Sequence, residues 1–456
     1  MTDIGSSRAK GKKSLKIALI MPPSPYLAND LAYPPMGLLY LAASIREYRP
    51  QHEIEIFELG GNINWKDEAS KIDADVVGIQ CVSPNHNVVK KLVQLLDPNS
   101  IKIIGGVHPT YVPEVIHSEL GFDIGVQGEG EMLILKVLDD IVNNSFKPLY
   151  KSEPISDLDS LPMPAIDMVD LTKYTPGGEK AISLQTSRGC HFKCTYCSMV
   201  NGKVAYQHSV ERVVEEVKRA RDYFGINHFV FSDDNAGINL KRLKRLLDEF
   251  DGLGCTYRLN MSVGYITEEV CESAAKAGVT TISFGLESFS AKMLKLMKKP
   301  ATVKSNCEAI RYTKNYGMKA SIYLIANYPG ETEETVDESL EFFVKEDPDV
   351  WLLSNFVPLP GSRTWSHPEE YDIIEKSTNW DDYYLVGNDC SFKPAYRTKE
   401  LTHERQIELH NRYYDGLHKH KPLQSIKSTN FSNKDNREKK DKEFTFFDLP
   451  LMNDMI

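Results

Sequence analysis

The chain has 456 residues and a mass of 51.7 kDa, enough for about two to four domains of ordinary size. With 41% hydrophobic and 26% charged residues it is neither disordered nor fibrous. Its net charge of −10 argues against nucleic acid or an anionic membrane as the main partner. No apolar run approaches the ~20 residues that span a bilayer, and eight cysteines are too sparse for a disulfide scaffold. We therefore expect a cytoplasmic globular protein.

The first part of the chain alternates short apolar segments with helical patterns, after a polar leader at 1–14 that we expect to be flexible. Strands are predicted at Leu15–Met21, Glu53–Leu59, Asp75–Val82, Ile101–Gly106 and Asp123–Val126, and helices at Met36–Tyr48, Asn87–Leu96 and Glu131–Val142. Near-continuous Val and Ile strands separated by helices indicate a parallel sheet covered on both faces. Residues 15–150 are thus predicted to form a doubly wound α/β domain.

Glycines and small polar residues follow several of these strands, at the sheet edge where ligands bind in such folds. Ser83 follows the third strand, Gly105 and Gly106 end the fourth, and the segment 128–131 follows the fifth. Glycine there lets the backbone approach a ligand closely, although ordinary turns use glycine too. The positions favour a ligand-binding domain, with ordinary turns as the alternative.

A second βα array follows a linker at 151–180 that lacks a sustained period. Between 181 and 365, strands are predicted at Ile182–Thr186, His228–Ser232, Cys255–Met261, Thr280–Leu286, Lys319–Ala326 and Val350–Val357. Helical patterns fill most of the gaps, one of them between Ser209 as N-cap and Gly225 as C-cap. Six βα units rather than eight predict an open, partial (β/α)6 barrel, whose chemistry lies at the carboxyl ends of its strands.

The βα pattern lapses after the barrel. We expect a small, mostly helical C-terminal region at 366–420, with one helix at Glu400–His418. Residues 421–456 are predicted to form a disordered tail. Residues 421–443 contain seven Lys and Arg and four Asp and Glu. Their net charge of only +3 argues against a nucleic-acid-binding tail.

Three cysteines stand close together directly after the first strand of the second array. Cys190, Cys194 and Cys197 lie in a loop opened by Gly189, and three thiolates at this spacing can converge on a soft metal centre. Structural zinc sites use four protein ligands, and no fourth cysteine is nearby, although His191 keeps zinc open as an alternative. A fully ligated [4Fe–4S] cluster takes four cysteines. Three leave one iron open to an outside ligand, as a catalytic cluster requires, so the sequence favours an iron–sulfur cluster.

This cysteine motif, together with segments on both sides of it, resembles the radical S-adenosylmethionine (SAM) superfamily. Within 180–365, the segments Ile282–Ser288, Tyr328–Thr332 and Pro358–Ser362 are similar to the core blocks of the subgroup that carries an N-terminal cobalamin-binding domain. The N-terminal half is similar as well, at Tyr33–Ala42, Val77–Ile79 with Ser83, Ile104–Pro109 and Gln127–Glu131, and so is the linker at Leu158–Pro162. The resemblance spans about three quarters of the chain.

The resemblance implies a role for the matched residues of the second array. The three cysteines bind three irons of a [4Fe–4S] cluster, and SAM chelates the fourth through its amino and carboxylate groups. The implied SAM-binding residues are Tyr196 at the adenine, Ser232 and Asp233 at the ammonium, Glu287 and Ser288 at the ribose, and the stretch from Ala326 to Gly330 along the adenine. The chain departs from the Gly-Gly-Glu segment that the superfamily often has before Asp234, which puts the ammonium ligands in doubt. Each assignment has an ordinary alternative. Tyr196 could be a core aromatic residue, Asp233 and Asp234 could cap the next helix, and Glu287 could be a surface carboxylate at a strand end.

For the first array the resemblance implies cobalamin. The implied contacts are Tyr33, Pro35, Gly37, Ser83, Gly105, Gly106, Val107, Gly128, Glu129 and Gly130. Domains that place a histidine on cobalt carry an Asp-x-His-x-x-Gly loop after the first strand, whereas residues 22–26 here read Pro-Pro-Ser-Pro-Tyr. His86 and His108 lie near strand ends, but we interpret both as surface or satisfied loop histidines. We therefore expect cobalamin to bind with no histidine on cobalt.

The function that the resemblance implies is a cobalamin-dependent radical SAM methyltransferase, acting on an unactivated carbon of a small metabolite. Its partners are that small-molecule substrate and an electron donor such as flavodoxin or ferredoxin. The main alternative keeps the cluster and SAM but performs cyclisation, ring rearrangement or dehydration. A cobalamin or redox sensor is a third hypothesis. A methylthiotransferase is disfavoured, because that family has three cysteines in its N-terminal domain and only Cys81 is present here.

Overall fold

A computed structural model describes residues 8–27, 29–174, 180–198, 201–386 and 392–422. The predicted disordered tail lies outside the described residues from 423 onward, and so do residues 1–7 of the leader. The rest of the leader packs on the first domain. Ala9 is only 1% exposed, and Arg8 Nη1 donates a hydrogen bond of 2.9 Å to Asp97 Oδ2.

The first domain contains a six-stranded, all-parallel sheet in the order β2-β1-β3-β4-β5-β6. Its strands are β1 (Lys16–Met21), β2 (Glu53–Glu58), β3 (Val76–Gln80), β4 (Ile101–Gly105), β5 (Ile124–Gln127) and β6 (Leu149–Lys151). The helices between them are α1 (Met36–Tyr48), α2 (Trp65–Ala69), α3 (His86–Val93), α4 (Val107–Tyr111), α5 (Val115–Ser118) and α6 (Leu133–Val142). The five predicted strands are present. The sixth is a three-residue edge strand that gives no apolar run to detect.

Alternate residues of β1 show how this sheet is covered. Ile17 and Leu19 pack in one apolar cluster with residues of α1 and α6. Ala18 and Ile20 point to the other face and join a second cluster with residues of α3. Because successive strand residues face opposite sides, a strand that is apolar throughout has helices on both faces. The predicted doubly wound α/β domain is confirmed.

The order of the strands also places a cleft. β2 and β3 lie on opposite sides of β1 in the sheet. The chain leaves β1 toward β2 and leaves β3 toward β4, so the loops after β1 and β3 diverge. At such a switch point a doubly wound sheet leaves a crevice beyond the carboxyl ends of its strands. The crevice here is lined by Met21, Tyr26, Tyr33, Gln80 and Asn85, among others.

The second domain contains another six-stranded parallel sheet, in the order β14-β13-β12-β11-β10-β7. Its first elements are β7 (Ala181–Leu184), the short strands β8 (Ser187–Arg188) and β9 (Tyr206–Gln207), α7 (Val210–Phe224), β10 (His228–Phe231), α8 (Leu240–Phe250), β11 (Thr256–Met261) and α9 (Glu268–Lys276). It continues with β12 (Val279–Glu287), α10 (Ala291–Leu296), α11 (Val303–Asn315), β13 (Lys319–Ala326), α12 (Glu333–Glu346), β14 (Val350–Asn355) and α13 (Arg363–Ser366). β7 and β14 are its two edges, so the predicted open (β/α)6 barrel is confirmed.

The C-terminal region contains β15 (Ile373–Lys376), antiparallel to β16 (Tyr396–Thr398), and α14 (His403–His420). Leu409, Tyr413 and Leu417 of α14 are buried in the same core as the barrel. The helix confirms the prediction for this region, whereas the strand pair was not predicted. Within the described residues, no helix is both long enough and apolar enough to cross a membrane.

Candidate active site

The three cysteines lie in a loop whose stem is a two-residue antiparallel ladder. Ser187 pairs with Gln207 and Arg188 with Tyr206, so residues 189–205 form the closed loop. Gly189 has φ of 88°, and a Cβ there would lie 2.1 Å from the Val204 carbonyl oxygen. The turn into the cysteine segment therefore requires glycine.

Cys190, Cys194 and Cys197 are half-buried and form no disulfide. Burial raises the pKa of Cys190 and Cys194. Among the residues that the structure describes, no three His, Cys, Asp or Glu side chains are close enough to share one metal ion. In a [4Fe–4S] cluster each cysteine instead binds a different iron. Three thiols without a fourth protein ligand fit a cluster that leaves one iron for an outside ligand.

Two carboxylates after β10 hold this loop. Asp233 is 1% exposed and accepts hydrogen bonds from Thr186 Oγ1 at 2.9 Å and from the Ser187 hydroxyl. Asp234 accepts from the backbone N–H of Gly189 at 2.7 Å and from Asn201. Asp233 was expected to bind the ammonium of SAM. In the structure, Asp233 and Asp234 fix the start of the cysteine loop, and the contact of Asp233 with the ammonium stays a prediction.

On the other side of the loop, Tyr196 and Glu287 meet. The Tyr196 hydroxyl donates a hydrogen bond of 2.9 Å to Glu287 Oε1. Glu287 ends β12 with φ of 65°, a left-handed conformation that is costly for a non-glycine residue and is found mostly where surrounding structure imposes it. The turn directs the carboxylate back toward the cysteine loop, which a surface carboxylate at a strand end would not do.

Lys299, which the sequence did not single out, completes this group. Its ammonium lies 2.8 Å from Glu287 Oε1 and 3.4 Å from the Tyr196 hydroxyl, and its side chain is 10% exposed. Burial lowers the pKa of Lys299, but Glu287 and the Cys194 thiol raise it further, so the pKa lies above its ordinary value. A buried cation therefore stands beside the thiols, where it stabilises their charged form.

The remaining residues predicted to bind SAM differ in their surroundings. Ser232 is half-buried after β10, and its hydroxyl forms no hydrogen bond with the described residues. Ser288 is 2% exposed and its hydroxyl binds Ser339 and the backbone of Ser290, and its contact with ribose stays a prediction. Ala326 ends β13 and is fully buried, and Gly330 lies four residues on with φ of 91°. Their predicted place along the adenine stays a prediction.

In the first domain, the crevice between β1 and β3 has features that a corrinoid requires. Tyr33 and Pro35 line it. The amide oxygen of Asn85, also in its wall, is buried and has no hydrogen-bond partner among the described residues. At Gly37 and Gly105 the nearest described atom lies 3.9 Å from where a Cβ would be, an ordinary contact distance, so packing within the described chain does not require glycine there. Glycines that packing does not require, beside an unpaired acceptor, fit a cofactor rich in amide groups.

Other predicted cobalamin contacts have reasons within the chain itself. Gly106 has φ of 103°, and a Cβ there would lie 2.8 Å from the Cys81 carbonyl oxygen. Gly128 also has a positive φ, of 82°, and Gly130 lies against the Leu41 side chain. Val107 begins α4 directly after the turn at Gly106. These residues shape the loops, and their contact with cobalamin stays a prediction.

His86 and His108 are buried rather than exposed. His108 Nδ1 lies 3.1 Å from the Ser83 hydroxyl, and His108 Nε2 lies 2.9 Å from His86 Nδ1. His86 Nε2 lies 3.5 Å from Glu119. Burial lowers the pKa of His108 to about 3, so the imidazole is neutral. Every ring nitrogen of the pair is engaged, which supports the interpretation as satisfied histidines and leaves none for cobalt.

Contacts between the domains bring the two candidate sites together. Arg188, in the stem of the cysteine loop, donates hydrogen bonds to Glu129 at 2.7 Å and to Glu131 at 2.6 Å, both in the loop after β5. The ring of Tyr111, at the end of α4, packs on Gly361, where a Cβ would lie 2.6 Å from it. Burial, with contributions from Cys197 and Asp234, raises the pKa of Tyr111 to about 12. The carboxyl edges of the two sheets therefore face each other, with Glu129 in the contact between them, and the contact of Glu129 with cobalamin stays a prediction.

The C-terminal region covers one side of this junction. Trp380 stacks on His86 at a centroid distance of 5.6 Å and contacts the edge of His108. Tyr383 packs with Val82 of the first domain and with Val357 and Leu359 of the second. A segment after 365 thus contacts both domains beside the site.

Comparison with known proteins supports the same division of the chain. Residues 184–343 match the radical SAM superfamily. Residues 30–138 match the B12 binding domain. The first match contains the cysteine loop and β12, and the second contains the loops after β3, β4 and β5 and the part of the crevice wall from residue 30 onward.

Relatives resemble the chain over most of its length. An uncharacterized methyltransferase of Pyrococcus horikoshii is 30% identical over 432 residues, which cover 88% of this chain and 92% of that protein. Cytidylyl-2-hydroxyethylphosphonate methyltransferase of Streptomyces wedmorensis is 27% identical over 71% of this chain and 75% of its own. An anaerobic magnesium-protoporphyrin IX monomethyl ester cyclase of Cereibacter sphaeroides is 23% identical over 72% of this chain and 59% of its own.

Solved structures share the fold. The radical SAM methyltransferase TsrM of Kitasatospora setae, with cobalamin and a [4Fe–4S] cluster bound, superimposes with a TM-score of 0.68 at 15% identity, over 88% of this chain and 91% of that chain. The cobalamin-dependent SAM radical enzyme OxsB gives a TM-score of 0.67 at 16% identity, over 83% of this chain and 65% of that chain. At such identities the likeness concerns the arrangement of the two domains.

Proposed function

The chain belongs to the radical SAM superfamily, in the group with an N-terminal B12-binding domain, and on that premise we propose that it C-methylates a small metabolite. As a radical SAM enzyme it uses a [4Fe–4S] cluster and SAM, and its first domain implies cobalamin. One observation carries the choice of methyl transfer. The loop predicted to bind the corrinoid and the stem of the cysteine loop are in direct contact, through Glu129, Glu131 and Arg188. Two cofactors held at facing sheet edges can act on one substrate between them.

The residues of the cysteine loop have distinct tasks in this proposal. Cys190, Cys194 and Cys197 would bind the cluster, and Tyr196 and Glu287 would orient SAM beside it. Lys299 holds the Glu287 carboxylate at 2.8 Å and favours the thiolate form of the cysteines. When bound, the cluster and SAM supply a radical that removes a hydrogen atom from carbon, and cobalamin supplies a methyl group.

The surroundings of the site exclude water from it. Tyr328, Phe356 and Tyr396 form a buried aromatic cluster under the SAM side, against which Tyr196 packs. Trp380 and its neighbours close the opposite side, over the first domain. Exclusion of water strengthens electrostatic contacts within a site and protects reactive species from side reactions.

In the first domain, Asn85 and the backbone at Gly37 and Gly105 would hold the corrinoid. The neutral His86–His108 pair, whose ring nitrogens are engaged, supports the prediction that the chain provides no histidine to cobalt. The electron would come from a one-electron donor such as flavodoxin or ferredoxin, and we place the enzyme in the cytoplasm, where its thiols stay reduced.

The names of the relatives support methylation more than its alternative. Besides the two methyltransferases above, a bacteriochlorophyllide d C-8(2)-methyltransferase of Chlorobaculum tepidum is 25% identical over 76% of this chain. The cyclase from Cereibacter sphaeroides keeps non-methylating radical chemistry as the second candidate.

Anaerobic reconstitution tests the cofactor set in one preparation. The proposal expects about four iron, four sulfide and one corrinoid per chain after incubation with iron, sulfide and hydroxocobalamin. It further expects that SAM yields both S-adenosylhomocysteine and 5′-deoxyadenosine. A chain that takes up the cluster but no corrinoid would move the assignment to non-methylating radical chemistry.

A further inference from the structure

The contact between the two domains is an ion triad with an unusual degree of burial. The side chains of Arg188, Glu129 and Glu131 are 6%, 16% and 10% exposed. All three nitrogen groups of the guanidinium are used, because Nη1 and Nη2 bind the two carboxylates and Nε donates to Gln185 at 2.7 Å. A buried charge group of this kind is costly and seldom the most stable choice for an interface. Its geometry therefore has a use beyond stability.

Each member stands directly beside a loop with a function. Arg188 is two residues before Cys190, in the two-residue ladder that closes the cysteine loop. Glu129 and Glu131 flank Gly130 in the loop after β5, at the sheet edge that contains the corrinoid crevice. Glu129 also accepts a hydrogen bond of 2.6 Å from the backbone N–H of Ile155, at the start of the linker. The triad thus joins the cysteine loop, the β5 loop and the linker at one point.

A second observation shows that this point is rigidly specified. A guanidinium with its planar fork binds two carboxylates in a fixed direction, which an ammonium cannot reproduce. The buried Tyr40 hydroxyl of α1 lies in the same polar interface, where it interacts electrostatically with Glu216 of α7 and with Arg188 and Glu131. No apolar packing could impose the same register, because apolar contacts are not directional.

We propose that Arg188, with Glu129 and Glu131, is a positioning device that sets the separation and orientation of the cluster relative to cobalamin. The inference rests on the proposed function for the identity of the two cofactors. It assigns none of the three residues to chemistry: they act through the loops that they hold. Loss of the Arg188 guanidinium leaves each cofactor bound in its own domain but removes the fixed distance between the two cofactors.

The variant that tests this is Arg188→Lys, which keeps the charge and most of the volume. The matched control is Arg311→Lys, whose guanidinium also binds both oxygens of a buried carboxylate, Glu346, between α11 and α12 and away from the junction. A second variant, Glu131→Gln, keeps Arg188 paired with Glu129 and stands in for Arg188→Lys if that variant does not fold.

Two measurements use only SAM and cofactors. Pulsed electron paramagnetic resonance of protein with cob(II)alamin and reduced cluster gives the distribution of their separation. With reduced corrinoid and no substrate, S-adenosylhomocysteine reports methyl transfer from SAM to cobalt, and 5′-deoxyadenosine reports cleavage at the cluster. Arg188→Lys should bind both cofactors as wild type does, broaden the distance distribution, and lower the ratio of S-adenosylhomocysteine to 5′-deoxyadenosine at least threefold. Arg311→Lys should match wild type in both.

An unchanged distribution and ratio in Arg188→Lys and Glu131→Gln, with both cofactors bound, would overturn the inference. A wild-type chain that binds no corrinoid would instead contradict the proposed function. In that case amide hydrogen exchange still tests whether the triad holds the two loops together. Residues 187–190 and 128–131 should lose protection together in Arg188→Lys and not in the control, and independent exchange of the two loops would refute the device.

Discussion

Glu287→Gln is the sharpest test of the SAM side of the site, because this carboxylate is held by two groups that the structure identifies. Its Oε1 accepts from Tyr196 at 2.9 Å and from Lys299 at 2.8 Å, and the side chains of Glu287 and Lys299 are 9% and 10% exposed. The amide keeps the shape and one acceptor but removes the charge. Lys299 is then left as a buried cation without its counter-ion.

The size of the effect follows from these contacts. A hydrogen bond to a charged group contributes about 1.5–3 kcal/mol, and removal of one partner of a buried pair costs about 3–5 kcal/mol when no acceptor is left. Because glutamine retains an acceptor, we expect the free energy of unfolding to fall by about 2–3 kcal/mol. SAM affinity should fall by about 1–3 kcal/mol, or roughly 5- to 150-fold, while the cluster stays intact.

The assay is isothermal titration of SAM into anaerobically reconstituted protein, with thermal unfolding measured on the same samples. Glu346→Gln is the matched control, since it removes a carboxylate that is 3% exposed and paired with Arg311 far from the cysteines. It should lower stability but leave SAM affinity at the wild-type value. If Glu287→Gln binds SAM as tightly as wild type, Glu287 does not belong to the site and the reasoning fails.

Three further results are expected. Cys194→Ala should abolish the visible absorption of the reconstituted cluster and all SAM cleavage while circular dichroism stays native, because two thiolates do not hold the cluster; retained cleavage would contradict this. Electron paramagnetic resonance of cob(II)alamin-loaded protein should show no nitrogen splitting from an axial histidine, since His86 and His108 bind each other. Burial raises the pKa of Glu216 from 4.5 to about 7, so the stability that its protonated form contributes is lost as pH rises through 7. Glu216→Gln should therefore remove a decline of roughly 2–3 kcal/mol in unfolding free energy between pH 5 and 8, measured with denaturant; an equal decline in the variant would contradict this assignment.

The elements that the sequence predicted well are those with a local signal. Short apolar segments between helical patterns placed eleven of the twelve strands of the two main sheets, because strands covered on both faces are mostly apolar. The resemblance of the block around Glu287 singled out a carboxylate that the structure places against Tyr196. Leu149–Lys151 was missed because a three-residue edge strand with one buried residue carries too little pattern.

What the sequence could not reveal depends on contacts between distant segments. Lys299 stands in an ordinary Met-Lys-Lys-Pro stretch, and only the left-handed turn at Glu287 brings the two together. Arg188 and Glu131 are 57 residues apart in different domains. No motif indicates that Asp233 accepts hydrogen bonds from Thr186 and Ser187 at the start of the cysteine loop. A sequence motif identifies a candidate residue, whereas the side chains that contact this residue in the fold determine its role.

The most direct test of methyl transfer supplies the reconstituted enzyme with a small-metabolite extract and SAM that carries a trideuterated methyl group. We expect a product in which one trideuteromethyl group replaces a hydrogen on carbon, with one S-adenosylhomocysteine and one 5′-deoxyadenosine formed per product. Omission of the corrinoid should stop product formation. Sustained turnover without corrinoid, with 5′-deoxyadenosine but no S-adenosylhomocysteine and no label in the product, would contradict the account.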